Sequence, residues 1–262
     1  MQSEYAGVIS IMSPTSNILH ERTHILIGEQ GLQNIMDKHV MIIGLGGVGG
    51  AASEAIARIG VGKITLLDHD VIGLSNLNRQ LIALQSNIGD KKTAVAAERI
   101  VNINPDTTIN IHDDFIHPEN VDELLAFYKP DYVLDCIDSI VCKAALVYAC
   151  QQANIPVITA LGAGGRIDVT KAEVTTLKKT HTCGLARALR GHLRKLGGNL
   201  NYPVVFSSEK AINALPHEPI PGEPDARPRA TNGTISYLPN IFGFMVAGYA
   251  IQHMLKAQEH RS

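Results

Sequence analysis

Closely spaced cysteine pairs are absent. The 262 residues hold four cysteines, Cys136, Cys142, Cys150 and Cys183, and none stands in a Cys-x-x-Cys pair. That excludes a zinc clip of neighbouring thiolates. The first three lie in or beside apolar segments and read as small buried hydrophobes of a reducing compartment. A dominant charge is absent too. With 23 Lys and Arg against 25 Asp and Glu, the formal net charge is −2, so any nucleic acid must be held by a local basic patch. The N-terminus has no basic flank followed by an apolar core, which argues against a secretion signal and for a cytoplasmic protein. The stretch from Ile235 to Leu255 has the length of a membrane span but contains Pro239, Asn240, Gln252 and His253. It reads as a buried helix, with membrane association as the lesser expectation.

What is present alternates. Apolar runs at 39–43 (HVMII), 63–67 (KITLL), 108–112 (TINIH), 131–135 (DYVLD) and 156–160 (PVITA) read as strands. Helices are expected over 29–37, 48–59, 90–103, 118–128 and 139–153. This rhythm implies an α/β fold, a Rossmann-like, mostly parallel sheet with helices on both faces. After Gly165 the rhythm changes. GRIDV and AEVTTL read as short antiparallel strands, followed by a basic helix, a Pro/Gly-rich loop at about 215–230 and the C-terminal helix. The expected organisation is therefore a loose arm over 1–20, a nucleotide-binding domain over 21–165 and an extension over 166–262 that completes the fold.

The first strand runs directly into GLGGVGG, where Gly44, Gly46 and Gly49 have the G-x-G-x-x-G spacing. Without Cβ atoms, such a turn lets backbone N–H groups and a helix N-terminus approach phosphates. The second strand ends in LLDHD, placing Asp68 where an acid accepts hydrogen bonds from ribose hydroxyls. To this point NAD and ATP fit equally. The segment SNLNRQ adds Ser75, Asn76 and Arg79; Lys92 follows IGD; and DCIDS puts Asp138 just past the fourth strand. Arginine and lysine suit a triphosphate tail, and a carboxylate at a strand end suits Mg²⁺. A nicotinamide enzyme has no use for that set, and the chain has no Tyr-x-x-x-Lys pair to serve as a dehydrogenase acid.

Taken together, GLGGVGG, LLDHDVIGLSNLNRQ, IGDKK and DCIDS resemble the adenylating domain of the ubiquitin-activating-enzyme-like family, which includes bacterial activators of the molybdopterin and thiazole sulfur carriers. The resemblance implies that Gly47 and the glycine turn contact ATP and that Asp68 binds its ribose. It likewise implies that Asn76, Arg79 and Lys92 hold the phosphates and that Asp138 holds magnesium. Arg22, in HERTHIL, resembles an arginine that family members donate across a homodimer to the γ-phosphate.

Two departures narrow the choice. Sulfur-carrier activators usually carry two zinc-binding Cys-x-x-Cys pairs and often a cysteine in a late loop; here the corresponding loop, PRATNGTISY, has none. The segments ITALGAGGRID, VFSSEKA and NIFGFMVAGYAI are instead similar to a subgroup, the tRNA threonylcarbamoyladenosine dehydratases. That subgroup adenylates the threonylcarbamoyl carboxylate on a tRNA adenosine beside the anticodon, and the group then cyclises with net loss of water. The competing expectation is an activator of a ubiquitin-like sulfur carrier; a silent scaffold would not need Arg79, Lys92 and Asp138. A monovalent cation and a sulfur-transfer accessory protein are further expectations.

Segment 178–195 contains Lys178, Lys179, Arg187, Arg190, Arg194 and Lys195 and no acidic residue. At helical spacing Leu185, Leu189, Leu193 and Leu196 share one face, with the three arginines opposite. Alone this is equally a solvated face or an RNA-phosphate surface; the resemblance favours tRNA. Gly162, Gly164 and Gly165 either wall a substrate pocket or permit a chain reversal.

Overall fold

The structure, a computed structural model, describes residues 18–212 and 233–259. Most of the 1–20 arm and the loop at 215–230 lie outside these residues.

The apolar runs bounded by turn residues form strands β1 (His39–Ile43), β2 (Lys63–Leu67), β3 (Thr108–His112), β4 (Tyr132–Asp135) and β5 (Val157–Ala160). Helices α1 (Glu21–Met36), α2 (Gly47–Ile59), α3 (Lys92–Ile103), α4 (Val121–Tyr128) and α5 (Ile140–Gln152) precede or join them. The chain continues through β6 (Ala172–Thr176), α6 (Gly184–Lys195), β7 (Pro203–Ser207) and α7 (Leu238–Glu259). Seven strands make one sheet in the order β3-β2-β1-β4-β5-β7-β6. All neighbours pair in parallel except the edge strand β6, which runs antiparallel to β7.

Strand side chains alternate between faces, so each face needs its own cover. Ile42, Leu66, Leu134 and Ile158 pack with Ile56 of α2, Ile100 of α3 and Phe242 and Val246 of α7. Met41, Ile43, Val133 and Val157 pack with Leu125 of α4, Leu146 and Val147 of α5, and Leu189 and Leu193 of α6. The apolar stretch that has the length of a membrane span is thus a core helix: Leu238, Phe242, Val246, Ala247, Ala250 and Met254 are buried. Each large member contributes about 1.5–3 kcal/mol by leaving water. Among the described residues no helix is long and apolar enough to cross a membrane.

Three expectations are corrected. The first helix begins at Glu21 rather than 29 and kinks at Gly28. Its first half leaves Ile25 and Leu26 exposed, so no buried stripe marks it in the sequence. GRIDV is not a strand, because Gly165 turns the chain at φ +70°. The antiparallel partner of AEVTT is instead PVVFS, the unassigned run at 203–207. Because β7 also pairs in parallel with β5, the segment after 165 extends the same sheet.

Between β1 and β4 the strand order reverses direction. In open parallel sheets a crevice opens beyond the carboxyl ends of strands at such a point.

Candidate nucleotide-binding site

At that crevice β1 ends and the chain turns at Gly44, whose φ is +88°. A Cβ there would lie 2.8 Å from the Cys136 carbonyl oxygen at the exit of β4. One at Gly49 would lie 1.7 Å from the Gly44 carbonyl oxygen, so only glycine lets α2 start this close to the strand. The turn borders a cleft of about 560 Å³ lined by Gly44, Gly46, Gly47, Asp68, Asn76, Arg79, Lys92 and Asp138, among others. Eight sequence-derived candidates from five separate segments therefore meet at one place. Gly49 and Ser75 do not line it. Gly49 packs the helix against the strand, and Ser75 offers its carbonyl to Arg79 Nη1 at 3.0 Å.

The glycine turn and the acid after β2 hold each other. Asp68 Oδ2 accepts from the Leu45 N–H at 2.6 Å, and Oδ1 accepts from the Asp70 N–H at 2.9 Å. Lys92, the first residue of α3, is 5% exposed. Its Nζ donates to Asp70 Oδ2 at 2.6 Å and lies 3.9 Å from Asp68 Oδ1. Asp68, His69 and Asp70 cluster, yet their carboxylates are engaged by these N–H groups and by Lys92, which does not suit a metal. Arg79 Nη1 also donates to Asn78 Oδ1 at 2.8 Å, while its backbone carbonyl accepts from Asn240 Nδ2 at 3.1 Å, tying it to α7. The carboxylate of Asp138 is exposed and makes no hydrogen bond or ion pair among the described residues.

Residues not singled out from sequence complete the site. Asp114, Phe115 and Ile116, after β3, line one side together with Leu67 and Ile137. Their sequence signal is an aromatic and apolar pair within DDFIH at a strand end. Beneath the exit of β4, Lys143 Nζ donates to Asp135 Oδ1 at 2.8 Å and to the Ala160 carbonyl at 3.1 Å. The Thr159 hydroxyl donates to Asp135 Oδ2 at 2.8 Å. Both charged side chains are fully buried. Burial pushes the Asp135 carboxyl up, against the pull of the Lys143 ammonium and the Thr159 hydroxyl. A lone lysine in the apolar run IVCKAAL was the available clue.

Of the four cysteines, Cys136 lines the cleft. Burial, reinforced by the Asp135 carboxylate, pushes its thiol up to about 12. It remains a thiol at neutral pH and is unsuited to accept an acyl group.

The basic segment divides. Lys178 and Lys179 are exposed in a short 3₁₀ turn, and Arg187, Arg194 and Lys195 are exposed on α6. Arg190 is set apart from these: half-buried, it donates through Nη1 to the Leu177 and Thr180 carbonyls and the Thr180 hydroxyl, binding the helix to the preceding turn. Leu196, expected on the apolar face, caps α6 and is exposed. Leu185 of the same helix lines the nucleotide cleft. Arg22 is exposed on α1 and does not line its own chain's cleft.

Comparison with known proteins agrees with this geometry. The tRNA threonylcarbamoyladenosine dehydratase of Escherichia coli (strain K12) is 43% identical over 194 residues, 71% of this chain and 72% of that protein. Its namesake from Bacillus subtilis (strain 168) is 34% identical over 91% of this chain and 96% of its own length. The crystal structure of the Escherichia coli tRNA N6-threonylcarbamoyladenosine dehydratase in complex with ATP matches at TM-score 0.85 and 36% identity, covering 96% of this chain and all of that one. Residues 20–262 match the ThiF family, so the likeness runs from α1 through the glycine turn to α7, and the chain belongs to the ThiF family.

Proposed function

We propose that this protein is an ATP-dependent tRNA threonylcarbamoyladenosine dehydratase. The observation that carries this reading is the full-length likeness to the ATP-bound dehydratase, which spans the β6–β7–α7 segment as well as the nucleotide cleft. The high thiol pKa of Cys136 supports it further, since no thiolate in the cleft awaits an acyl group.

In the first step a carboxylate oxygen of the threonylcarbamoyl group attacks the α-phosphorus of ATP, and pyrophosphate leaves. In the second, a nucleophilic atom of the same group adds to the acyl carbon, the bond to AMP breaks, and AMP carries away the oxygen formally lost as water. Both ends of the second reaction sit in one molecule, which removes the entropic barrier to their encounter. The glycine turn and Asp68 seat the nucleotide, with Phe115, Ile116, Leu67 and Ile137 offering an apolar wall to its base. Lys92 and Arg79 neutralise charge growing on the leaving pyrophosphate. The free carboxylate of Asp138 at the cleft fits Mg²⁺, which binds through one or two carboxylates plus phosphates and would there offset phosphate charge.

The exposed apolar residues Ile18, Ile25 and Leu26 flank Arg22, a surface suited to a second copy of the chain. In a homodimer Arg22 would serve the partner's cleft. A monovalent cation and a sulfur-transfer protein enter no step of this mechanism.

Incubation with ATP and threonylcarbamoylated tRNA should release AMP and lower the modified nucleoside's mass by one water. Mass spectrometry showing an unchanged nucleoside, alongside adenylation of a sulfur-carrier C-terminus, would favour the carrier-activating alternative.

Transfer RNA is assigned to the exposed cations beside α6. Replacing Lys178, Lys179, Arg187 and Arg194 together by alanine should weaken tRNA binding. The slope of log K against log salt should fall by about 0.7–0.9 for each phosphate that is no longer neutralised. Arg190 is left intact because it holds the helix in place. Unchanged affinity and slope in filter binding would remove tRNA from this face.

A further inference from the structure

Leu161, Gly162, Ala163 and Gly164 line the cleft, and beside them lies a buried charge to which the mechanism above gives no role. Arg166 is 4% exposed. Its Nη1 donates to the Gly162 carbonyl and, at 3.3 Å, to the Gly164 carbonyl, while Nε donates to the Glu209 carbonyl at 3.0 Å. No carboxylate lies within ion-pairing distance of the guanidinium among the described residues. Glu209 directs its carboxylate elsewhere, accepting from the Ile167 N–H at 3.0 Å and the Asp168 N–H at 2.8 Å. The turn is closed behind by Gly165, whose N–H donates to the Gly233 carbonyl at 2.7 Å and whose carbonyl accepts from the Ile212 N–H at 2.7 Å.

With the carbonyls of Gly162 and Gly164 drawn onto one guanidinium, the N–H groups of Gly162, Ala163 and Gly164 have no hydrogen-bond partner among the described residues. All three residues line the cleft that holds Asp138 and the glycine turn. Free backbone N–H groups running into a turn, here the one at Gly164 and Gly165, are donors open to an anion in the cleft. A buried cation compensated only by carbonyl dipoles adds a positive field there, stronger for being desolvated. Leu185, at the start of the basic helix, borders the same end.

We propose that Arg166 is a positioning residue that shapes the Gly162–Gly164 segment into the binding site for the carboxylate of the acyl substrate. This rests on the dehydratase reading. Holding one carboxylate oxygen at the turn leaves the other free to attack the α-phosphorus, across repulsion between two anions that the guanidinium offsets. The same oxygen gains negative charge when the second nucleophile adds to the acyl carbon, so the amides serve both steps as an oxyanion site.

The test compares tRNA bearing threonylcarbamoyladenosine with tRNA in which that carboxylate is converted to the carboxamide. Both are bound in the presence of α,β-methylene-ATP, which blocks adenylation. The wild-type protein is expected to prefer the carboxylate at least tenfold. Arg166→Met should reduce this preference to within twofold of unity while its affinity for ATP stays within threefold of wild type, a split that general loosening would not produce. Should Arg166→Met fail to fold, Arg166→Lys takes its place, with the preference expected to fall at least threefold because one ammonium replaces the planar fork. A wild-type protein indifferent to the carboxamide, or a folded variant that keeps the full preference, overturns the proposal. Failure of the dehydratase reading is seen separately, as no loss of water from the nucleoside with wild-type protein and ATP.

Discussion

Lys92→Ala and Asp138→Ala should each lower the dehydration rate by about 10²-fold or more, the scale seen when one stabiliser of transition-state charge is removed. A factor of 10² corresponds to about 2.7 kcal/mol of barrier. For Lys92 the reason lies in its surroundings. Its ammonium is nearly excluded from water and stands between two carboxylates at the mouth of the cleft. Without it, Asp68 and Asp70 would lose the one ammonium set between them, and the cleft would lose positive charge where ATP phosphates must be held. The loss should therefore appear both in the KM for ATP and in kcat. Asp138 should behave differently, because it is exposed and its carboxylate has no partner among the described residues. Its alanine variant should need more magnesium for half-maximal rate, and raising magnesium should recover part of the deficit. Rates near wild type for both variants would refute the assigned site.

Lys143→Met should be strongly destabilising. It strands a fully buried carboxylate, which costs about 3–5 kcal/mol, or roughly 6–20 °C in Tm for a domain of this size. The pH dependence has a defined sign. Burial already pushes Asp135 up, and removing the ammonium pushes it further. Between the unfolded and folded values the native state holds a proton that the unfolded chain has released, so stability falls as pH rises through that window. The variant's deficit should be greatest at neutral pH and shrink toward acid. Adding Asp135→Asn should restore much of the loss, because a neutral amide needs no counter-charge. Thermal melts across pH would decide: a neutral-pH deficit under about 1 kcal/mol, or one growing toward acid, contradicts a buried pair of this kind.

How far the site was legible follows from what each residue answers to. Gly44, Gly46, Gly47, Asp68, Lys92 and Asp138 stand just beyond strands or at helix starts, and strands β1, β2 and β3 end where the apolar runs end. A parallel sheet brings all such ends to one edge, so order along the chain becomes proximity in space. Gly49 and Ser75 share the motif but not the cleft, because a motif also contains residues that pack it. Arg190 looked like its neighbours on a helical wheel. The Leu177 and Thr180 carbonyls, from the turn before the helix, claim its guanidinium.

The apolar pattern and the glycine turn therefore determined the α/β class, six of the strands including AEVTT, and a phosphate-binding edge, because these depend on local pattern and chain direction. Tertiary structure decided what depends on partners distant in the chain. PVVFS became a strand because β5 and AEVTT stood on either side of it, whereas GRIDV turned away at Gly165. Lys143 could enter the core only because Asp135, Thr159 and the Ala160 carbonyl meet it there. Arg166, unremarked in GGRID, became a buried cation because the turn before it and Glu209 after it supply carbonyl oxygens. A charge is placed by the groups that satisfy it, and those are known only once the chain has folded.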